Sequence, residues 1–325
     1  MNECSLSIII CTYNPRKEIL RETLDHLSRL ELDEKETIEL VIVDNASSPP
    51  VEAAALNLSS LPFPARVIQE PKPGQMNARL RGFHSTNGEI VLYLDDDNYV
   101  HPRYALRTLE FFREHPKAGA ISGRVIAKPE FEFPYWMTPE MVHHYAVRDL
   151  GEGDILFRNP ATPYGAGMAI RRKAMAPTLS VPFVFSGRVG AKLSSGDDCE
   201  LCYRIKSEGW ELWYCGGMVL EHFLYQSRLT AEYYERFQYS LGFDTPVMEM
   251  FWAPGRPWRR LTYLKRAALL WWKLKRWDVP VIRGNPAPLL LDRFKRAWHQ
   301  GVCESLWQLA WGPPIWRQVR TLKPD

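Results

Sequence analysis

Short apolar segments alternate with amphipathic segments over the first 120 residues, and this alternation constrains the fold more than any other feature. Helices are predicted over residues 75–85 and after the Asn14-Pro15 pair, because proline favours the first turn of a helix. Short strands that alternate with helices indicate an α/β fold with a mostly parallel central sheet and helices on both faces. The predicted strands cover residues 6–11, 40–43, 66–69 and 90–94.

Polar or acidic side chains follow several of these predicted strands. Thr12 follows the first strand, Asp44 the second, and Asp95, Asp96 and Asp97 follow the strand at 90–94. In open parallel sheets, ligands bind beyond the carboxyl ends of the strands. The sequence therefore predicts a ligand site at this edge of the sheet.

Three adjacent carboxylates, Asp95 to Asp97, form the strongest single signal in the chain. Such neighbours repel one another unless a positive charge neutralises them. Carboxylate oxygens suit Mg²⁺ and Mn²⁺, which commonly bridge protein carboxylates and substrate phosphates. The cluster therefore predicts a divalent metal, Mn²⁺ or Mg²⁺, and the alternative is a solvated acidic turn.

Five segments carry a resemblance to a known family. They are Ser7-Ile8-Ile9-Ile10-Cys11-Thr12-Tyr13-Asn14, Val41-Ile42-Val43-Asp44-Asn45-Ala46-Ser47, Asn77-Ala78-Arg79-Leu80-Arg81-Gly82, Asp95-x-Asp97 and Ser195-Gly196-Asp197-Asp198-Cys199-Glu200-Leu201. In this order and spacing they resemble the family 2 glycosyltransferases with the GT-A fold, a Rossmann-like α/β architecture. The resemblance covers about residues 5–225, with Leu80 and Asp197 at positions where the family commonly has Asn and Glu. It implies an enzyme that takes a sugar from a nucleotide-sugar donor.

The resemblance also implies a set of donor-binding residues for a UDP-, dTDP- or GDP-sugar. Asp44 would accept a hydrogen bond from the base, and Arg79 would lie near the nucleotide or its phosphates. Asp95 would reach the ribose or the donor sugar. The full set is Thr12, Tyr13, Asp44, Arg79, Asp95 and Asp96.

Three further residues are implied to carry the metal and the chemistry. Asp97 would bind the metal, and His222, predicted to lie beyond the last core strand, would be a further ligand or else a packed histidine. A sugar hydroxyl is a poor nucleophile, so a carboxylate must accept its proton. Asp198 is the candidate base for a single, inverting displacement; alternatively, Asp197 and Asp198 only begin a helix, where acids favour the dipole.

Charge is distributed unevenly along the chain. Residues 256–325 carry 15 Lys/Arg and 4 Asp/Glu, whereas the first 255 carry 26 and 34, and eight of the twelve tryptophans lie in the basic part. The pattern becomes helical beyond about residue 228, and we therefore predict a catalytic domain at 1–228, with a donor half at about 1–122 and an acceptor half at about 123–228. Residues 123–165 are predicted to form loops, and 229–325 a helical extension.

The basic segment 256–276 has eight Lys/Arg, no acid and the Trp271-Trp272 pair. This composition predicts a helix in a membrane interface, and the alternatives are packing on the catalytic domain or a homodimer. The start, Met1-Asn2-Glu3-Cys4, lacks the basic lead-in of a signal peptide. We expect a cytoplasmic protein, peripheral on the inner membrane face, with a glycan or lipid-linked acceptor.

Two other functions compete with this interpretation. A nucleotidyltransferase would have a similar fold, but we expect a Gly-x-Gly-Thr-Arg type loop where this chain has Thr12-Tyr13-Asn14-Pro15. A nucleic-acid-binding protein could use the basic, Trp-rich extension for phosphate contact and stacking. The acidic body would repel such a polyanion, so we expect no nucleic acid partner.

Overall fold

The computed structural model describes residues 5–190, 193–252, 260–277 and 286–312. Within these residues, nine strands form a single sheet. The strands are β1 (Leu6–Thr12), β2 (Ile38–Asp44), β3 (Ala65–Gln69), β4 (Ile90–Asp95), β5 (Asn98–Val100), β6 (Ala118–Pro129), β7 (Asp154–Leu156), β8 (Met168–Arg171) and β9 (Glu211–Leu224).

The helices lie on both faces of this sheet and at its end. Short 3₁₀ turns connect several of the elements. The α-helices are α1 (Lys17–Ser28), α2 (Gln75–His84), α3 (Tyr104–Glu114), α4 (Pro139–Val142), α5 (Arg172–Met175), α6 (Asp197–Ser207), α7 (Ala231–Trp252), α8 (Arg260–Lys275) and α9 (Pro286–Trp311).

The sheet order is β3-β2-β1-β4-β8-β6-β9-β5, with β7 paired to β9. The first four of these strands are parallel. The other half is mixed, because β8 runs antiparallel to β4 and β6, and β5 and β7 run antiparallel to β9. The predicted α/β fold is confirmed, and its parallel part is the half that ends in Thr12, Asp44 and Asp95.

Strand β1 shows why the sheet is covered on both faces. Successive side chains of a strand point to opposite faces. Ile8 and Ile10 accordingly pack with Leu20 of α1 in one apolar cluster, whereas Ile9 packs with Ala78 of α2 in the other. A strand that is buried on both faces needs a nearly continuous apolar run, and residues 6–11 show this pattern with Ser7 as the one polar residue.

Two predictions about the second half of the sheet are wrong. The predicted loops at 123–165 include the end of β6 and all of β7, and β9 continues ten residues beyond the strand expected at 211–214. The pairing of β6 with β9 shifts register after Gly123, which leaves residues 216–218 of β9 as a bulge. A Cβ on Gly123 would lie 1.9 Å from the Met218 carbonyl oxygen, so the glycine permits the bulge. Bulges interrupt the alternation from which strands are predicted.

The C-terminal helices pack against one another and against the catalytic body. Helix α7 contacts α6 and packs along α9, and α8 packs on α9. Tyr263 and Ala267 of α8 and Leu306 of α9 are buried in the cluster they share with α7. None of the helices in the described ranges combines the length and apolarity that crossing a bilayer requires.

Candidate active site

A cleft of about 920 Å³ lies at the carboxyl ends of β1 and β4. Its other walls are formed by the start of α6, by His222 of β9 and by one face of α7. The structure therefore brings most of the predicted site residues together. Those that line the cleft are Thr12, Tyr13, Arg79, Asp95, Asp96, Asp97, Asp198 and His222.

Two carboxylates and one imidazole form a group that could hold a metal ion. One ligand atom each from Asp95, Asp97 and His222 lies within 4.8 Å of the others. Asp95 ends β4, and its amide N–H donates to Asn98 Oδ1 at 3.0 Å, which secures the turn between them. His222 pairs with Asn98 in the β5–β9 register. The prediction that His222 lies beyond the last strand is wrong: it lies within β9, and this pairing brings it to Asp97.

The His222 ring is oriented by a hydrogen bond on the side away from the cluster. Its Nδ1 lies 2.9 Å from the Tyr145 carbonyl oxygen, which can only accept, so Nδ1 carries the proton. The Nε2 atom then faces Asp97 Oδ1 at 3.4 Å. Metal-binding histidines are typically oriented by such a second hydrogen bond. The oxygen-rich donor set with one oriented imidazole fits a divalent cation.

The three aspartates differ in their electrostatic surroundings. Burial opposes the ionised form of Asp97, but His222 and Arg228 outweigh it and lower the pKa of this carboxyl. Burial, and then the charge of Asp97, raise the pKa of Asp95. The same two causes raise the pKa of Asp96 to about 7. A cation among them would relieve this repulsion.

Thr12 and Tyr13 lie beside this cluster at the end of β1. The Thr12 hydroxyl donates to Asp96 Oδ2, so this side chain directly stabilises the turn formed by Asp95, Asp96 and Asp97. The Thr23 hydroxyl of α1 donates to the Asp96 carbonyl oxygen at 2.9 Å and secures the turn from the other side. Tyr13 is 55% exposed and also lines the cleft.

Asp197 and Asp198 open α6 but have different partners. Asp197 is buried and accepts a hydrogen bond from Arg79 Nη1 at 2.7 Å. Burial raises the pKa of Asp197 to about 6, against the opposing charge of Arg79. Asp198 is half-buried, and its two oxygens accept backbone N–H bonds from Gly165 at 2.9 Å and Cys199 at 2.8 Å. Both residues line the cleft, but the Asp197 carboxylate is paired with Arg79, whereas the hydrogen bonds to the Asp198 carboxylate come from backbone N–H groups.

Glu200, two residues further along the same motif, is structural. It is fully buried and forms an ion pair with Arg204 at 2.6 Å. Its carboxylate also accepts the N–H groups of Val184 and Phe185 at 2.9–3.0 Å. The motif therefore combines a cleft-facing carboxylate with one that holds the neighbouring segment.

Asp44 does not line the cleft. It is fully buried, and its carboxylate accepts hydrogen bonds from Ser47 N–H at 3.2 Å, Val51 N–H at 2.8 Å and Gln69 Nε2 at 3.0 Å. Burial opposes ionisation, but these bonds outweigh it and lower the pKa of Asp44. Its base-reading role stays a prediction. The neighbouring Asn45 lines the cleft instead.

Several cleft residues were not found from the sequence. Arg228 lies 131 positions from Asp97, yet its Nη1 is 3.4 Å from Asp97 Oδ2. Arg188 also lines the cleft. Only the position of Asn45 at the end of a predicted strand gave a local signal. The two arginines come from connecting segments whose sequence shows no such pattern.

Helix α7 provides one wall of the cleft, although it belongs to the predicted extension. The division into 1–228 and 229–325 stays a prediction, but α7 contributes directly to the cleft. Apart from the adjacent pair Asp244 and Thr245, its contributing residues are spaced by three or four positions, which places them on one face of a helix. They are Tyr233, Phe237, Leu241, Asp244, Thr245, Met248 and Trp252.

Residues 7–177 match the family model described as glycosyl transferase family 2. The parallel sheet edge and its cleft of carboxylates are thus those of a glycosyltransferase, and the chain belongs to family 2. The suspected resemblance and the predicted enzyme class are confirmed.

The named relatives match different shares of this chain. A glucosyl-dolichyl phosphate glucuronosyltransferase of Haloferax volcanii is 23% identical over 76% of this chain and 74% of its own. The succinoglycan biosynthesis protein ExoM of Rhizobium meliloti is 29% identical over 41% of this chain and 42% of its own. A structure of GalNAc-T7 with UDP, GalNAc and Mn²⁺ superposes with a TM-score of 0.52 at 14% identity, covering 91% of this chain and 55% of that one. At this identity it supports the GT-A fold alone.

Proposed function

We propose that this family 2 member is a metal-dependent, inverting glycosyltransferase that uses a nucleotide-diphosphate sugar. The observation that carries the proposal is that the Asp95–Asp97–His222 group and the carboxylate of Asp198 line the same cleft. The same cleft thus offers a cation site for a diphosphate and a carboxylate that can accept a proton.

The donor would occupy the half of the cleft formed by β1 and β4. Tyr13 and Asn45 would flank the nucleotide, while Thr12 supports the acidic turn through Asp96. Asp44 does not line the cleft, so it would act indirectly, through the loop after β2 that its hydrogen bonds to Ser47 and Val51 hold in place.

Asp97, His222 and Asp95 would hold the cation, Mn²⁺ or Mg²⁺. When bound, a divalent ion stabilises the negative charge of a departing diphosphate. Arg79 and Arg228 supply further positive charge at the cleft, each already paired with an aspartate.

Asp198 would act as the general base. Its carboxylate would take the proton of an acceptor hydroxyl as that oxygen attacks the anomeric carbon and the bond to the diphosphate breaks. A single displacement of this kind inverts the anomeric configuration. The two backbone N–H bonds to Asp198 hold the carboxylate in place.

The acceptor would enter along α7, opposite the donor half. Among the relatives, one is named for a glucosyl-dolichyl phosphate and another for succinoglycan biosynthesis. These names support an acceptor that is either lipid-linked or a polysaccharide. The aromatic and apolar residues of the α7 wall are compatible with both classes.

A donor screen tests this proposal without a known acceptor. We expect slow hydrolysis of one class among UDP-, dTDP- and GDP-sugars in the presence of Mn²⁺ or Mg²⁺, and none after chelation with EDTA. Released nucleotide diphosphate is the measured product. If no nucleotide sugar is hydrolysed and none binds in calorimetry, the proposed activity is wrong.

We also propose that α8 holds the enzyme at an anionic membrane surface. One face of α8 packs through Tyr263 and Ala267 into the apolar cluster that it shares with α7 and α9. The other face exposes large apolar side chains beside cations, with Lys275 over the Trp271 ring and Arg276 over the Trp272 ring. Residues 256–259 of the predicted segment lie outside the described residues. The exposed apolar residues are Leu261, Leu269, Trp271 and Trp272.

Vesicle flotation measures this surface binding. We expect the protein to float with phosphatidylglycerol vesicles at low salt and to be released as salt is raised, because each basic residue contributes about 1 kcal/mol near anionic lipid. Replacing Trp271 and Trp272 with serine should reduce flotation, while Leu150→Ser should not, although Leu150 is as exposed as Trp272 at 47%. If the parent protein does not float with these vesicles at low salt, α8 does not bind membranes and serves only to pack against its neighbouring helices.

A further inference from the structure

Residues 193–196 form the connection that leads directly into α6 and its Asp197-Asp198 pair. Helix α7 contacts this connection at two points one turn apart. The first is a pair of hydrogen bonds from Ser194 and Ser195 to Asp244, and the second is the packing of Met248 near Gly196. These contacts join the C-terminal helices to the segment that carries the candidate base.

Asp244 makes the polar contact. Its side chain is 7% exposed, and its Oδ2 accepts the Ser195 N–H at 2.9 Å and the Ser194 hydroxyl at 3.2 Å. Burial raises the pKa of Asp244 to about 7, and the bonds from Ser195 and Ser194 oppose that rise. A buried carboxyl in this position can accept the Ser195 N–H in either protonation state.

Met248 makes the packing contact. Gly196 has a φ of +122°, a conformation that glycine adopts readily and other residues do not. A Cβ at that position would lie 3.2 Å from Met248 Sδ. The Gly196 carbonyl oxygen accepts the Glu200 N–H at 2.7 Å, which is a bond of the first turn of α6. The direction in which the chain enters α6 therefore depends on contacts with α7.

We infer that Asp244 is a positioning residue for Asp198: it secures the connection before α6 and so makes α7 part of the catalytic apparatus. The inference rests on the proposed role of Asp198 and extends it to the C-terminal helices. Removal of the Asp244 carboxyl frees Ser194 and Ser195, and the start of α6 can then shift. A displacement of about 1 Å at a catalytic group can lower the rate about 100-fold.

Three variants test this inference on the full chain. Asp244→Ala removes both hydrogen bonds and should lower kcat about 10- to 100-fold while the donor KM stays at the parental value. Asp244→Asn keeps an oxygen for the Ser195 N–H and should restore most of kcat. Glu249→Ala is the matched control, because Glu249 lies on the same helix but pairs with Arg266 of α8 at 2.8 Å, and it should keep the parental kcat.

Hydrogen–deuterium exchange gives a readout that does not depend on activity. We expect faster exchange of amides 194–198 in Asp244→Ala than in the parent and in Glu249→Ala. Unchanged exchange in Asp244→Ala, or a raised acceptor KM with an intact kcat, would overturn the positioning role. If the parent itself hydrolyses no donor, the proposed function fails, whereas the exchange comparison still decides whether Asp244 secures the connection.

Discussion

Replacing Asp198 with asparagine should abolish sugar transfer while the protein continues to bind its donor. Asparagine has nearly the same shape and retains an oxygen for the Gly165 N–H, which Asp198 accepts at 2.9 Å, although its amide nitrogen cannot accept the Cys199 N–H that the second Asp198 oxygen takes at 2.8 Å. Its amide cannot accept the proton of an acceptor hydroxyl. Loss of a general base typically costs about 10²- to 10⁴-fold in rate. Turnover of the variant is compared with that of the parent at saturating donor.

A matched control separates loss of the base from loss of a negative charge. Asp154→Asn removes a carboxylate of β7 that pairs with Arg107 at 2.8 Å, and Asp154 is not among the residues that line the cleft. We expect this control to turn over at the parental rate. Nucleotide affinity measured by calorimetry should be the same in all three proteins. If Asp198→Asn transfers sugar as fast as the control, Asp198 is not the base.

Replacing Asp97 with asparagine should remove the effect of metal on donor binding. Asp97 carries the lowest-pKa carboxyl of the acidic turn, because His222 and Arg228 outweigh the effect of burial. It is therefore the member of the group best suited to bind a cation at neutral pH. Loss of even an outer partner of a metal site typically costs about 10- to 100-fold in metal affinity. We expect at least this loss in donor affinity with Mn²⁺ present.

The neighbouring residue of His222 offers a control for this variant. Glu221 comes immediately before His222 within β9, and its carboxylate lies 3.4 Å from Lys128 Nζ. Glu221→Gln should keep both the parental donor affinity and the rise in melting temperature that a bound ion gives. Calorimetry with and without Mn²⁺ measures the difference. We expect Asp97→Asn to bind the donor equally tightly with and without Mn²⁺. The parent should bind the donor more tightly when Mn²⁺ is present.

The sequence by itself determined the donor half of the fold and the acidic turn. Residues 6–11 and 90–94 are apolar runs of strand length, and the polar residues Thr12 and Asp95 follow them directly. Each of these signals is local, since burial on both faces requires an apolar run and a polar residue marks its end. The parallel pairing of β1 with β4 then places both ends at one edge.

The tertiary structure alone decided which distant residues complete the site. His222 reaches Asp97 because β9 continues past its bulge and pairs with β5. Arg228 also reaches Asp97, because it lies in the short turn that follows the end of β9. Asp244 reaches Ser195 because α7 packs back over the start of α6. None of these contacts leaves a periodic trace in one sequence, because each joins segments that lie about 50 to more than 100 positions apart. Local patterns report how a segment is buried, whereas the partner of a buried polar group depends on long-range packing.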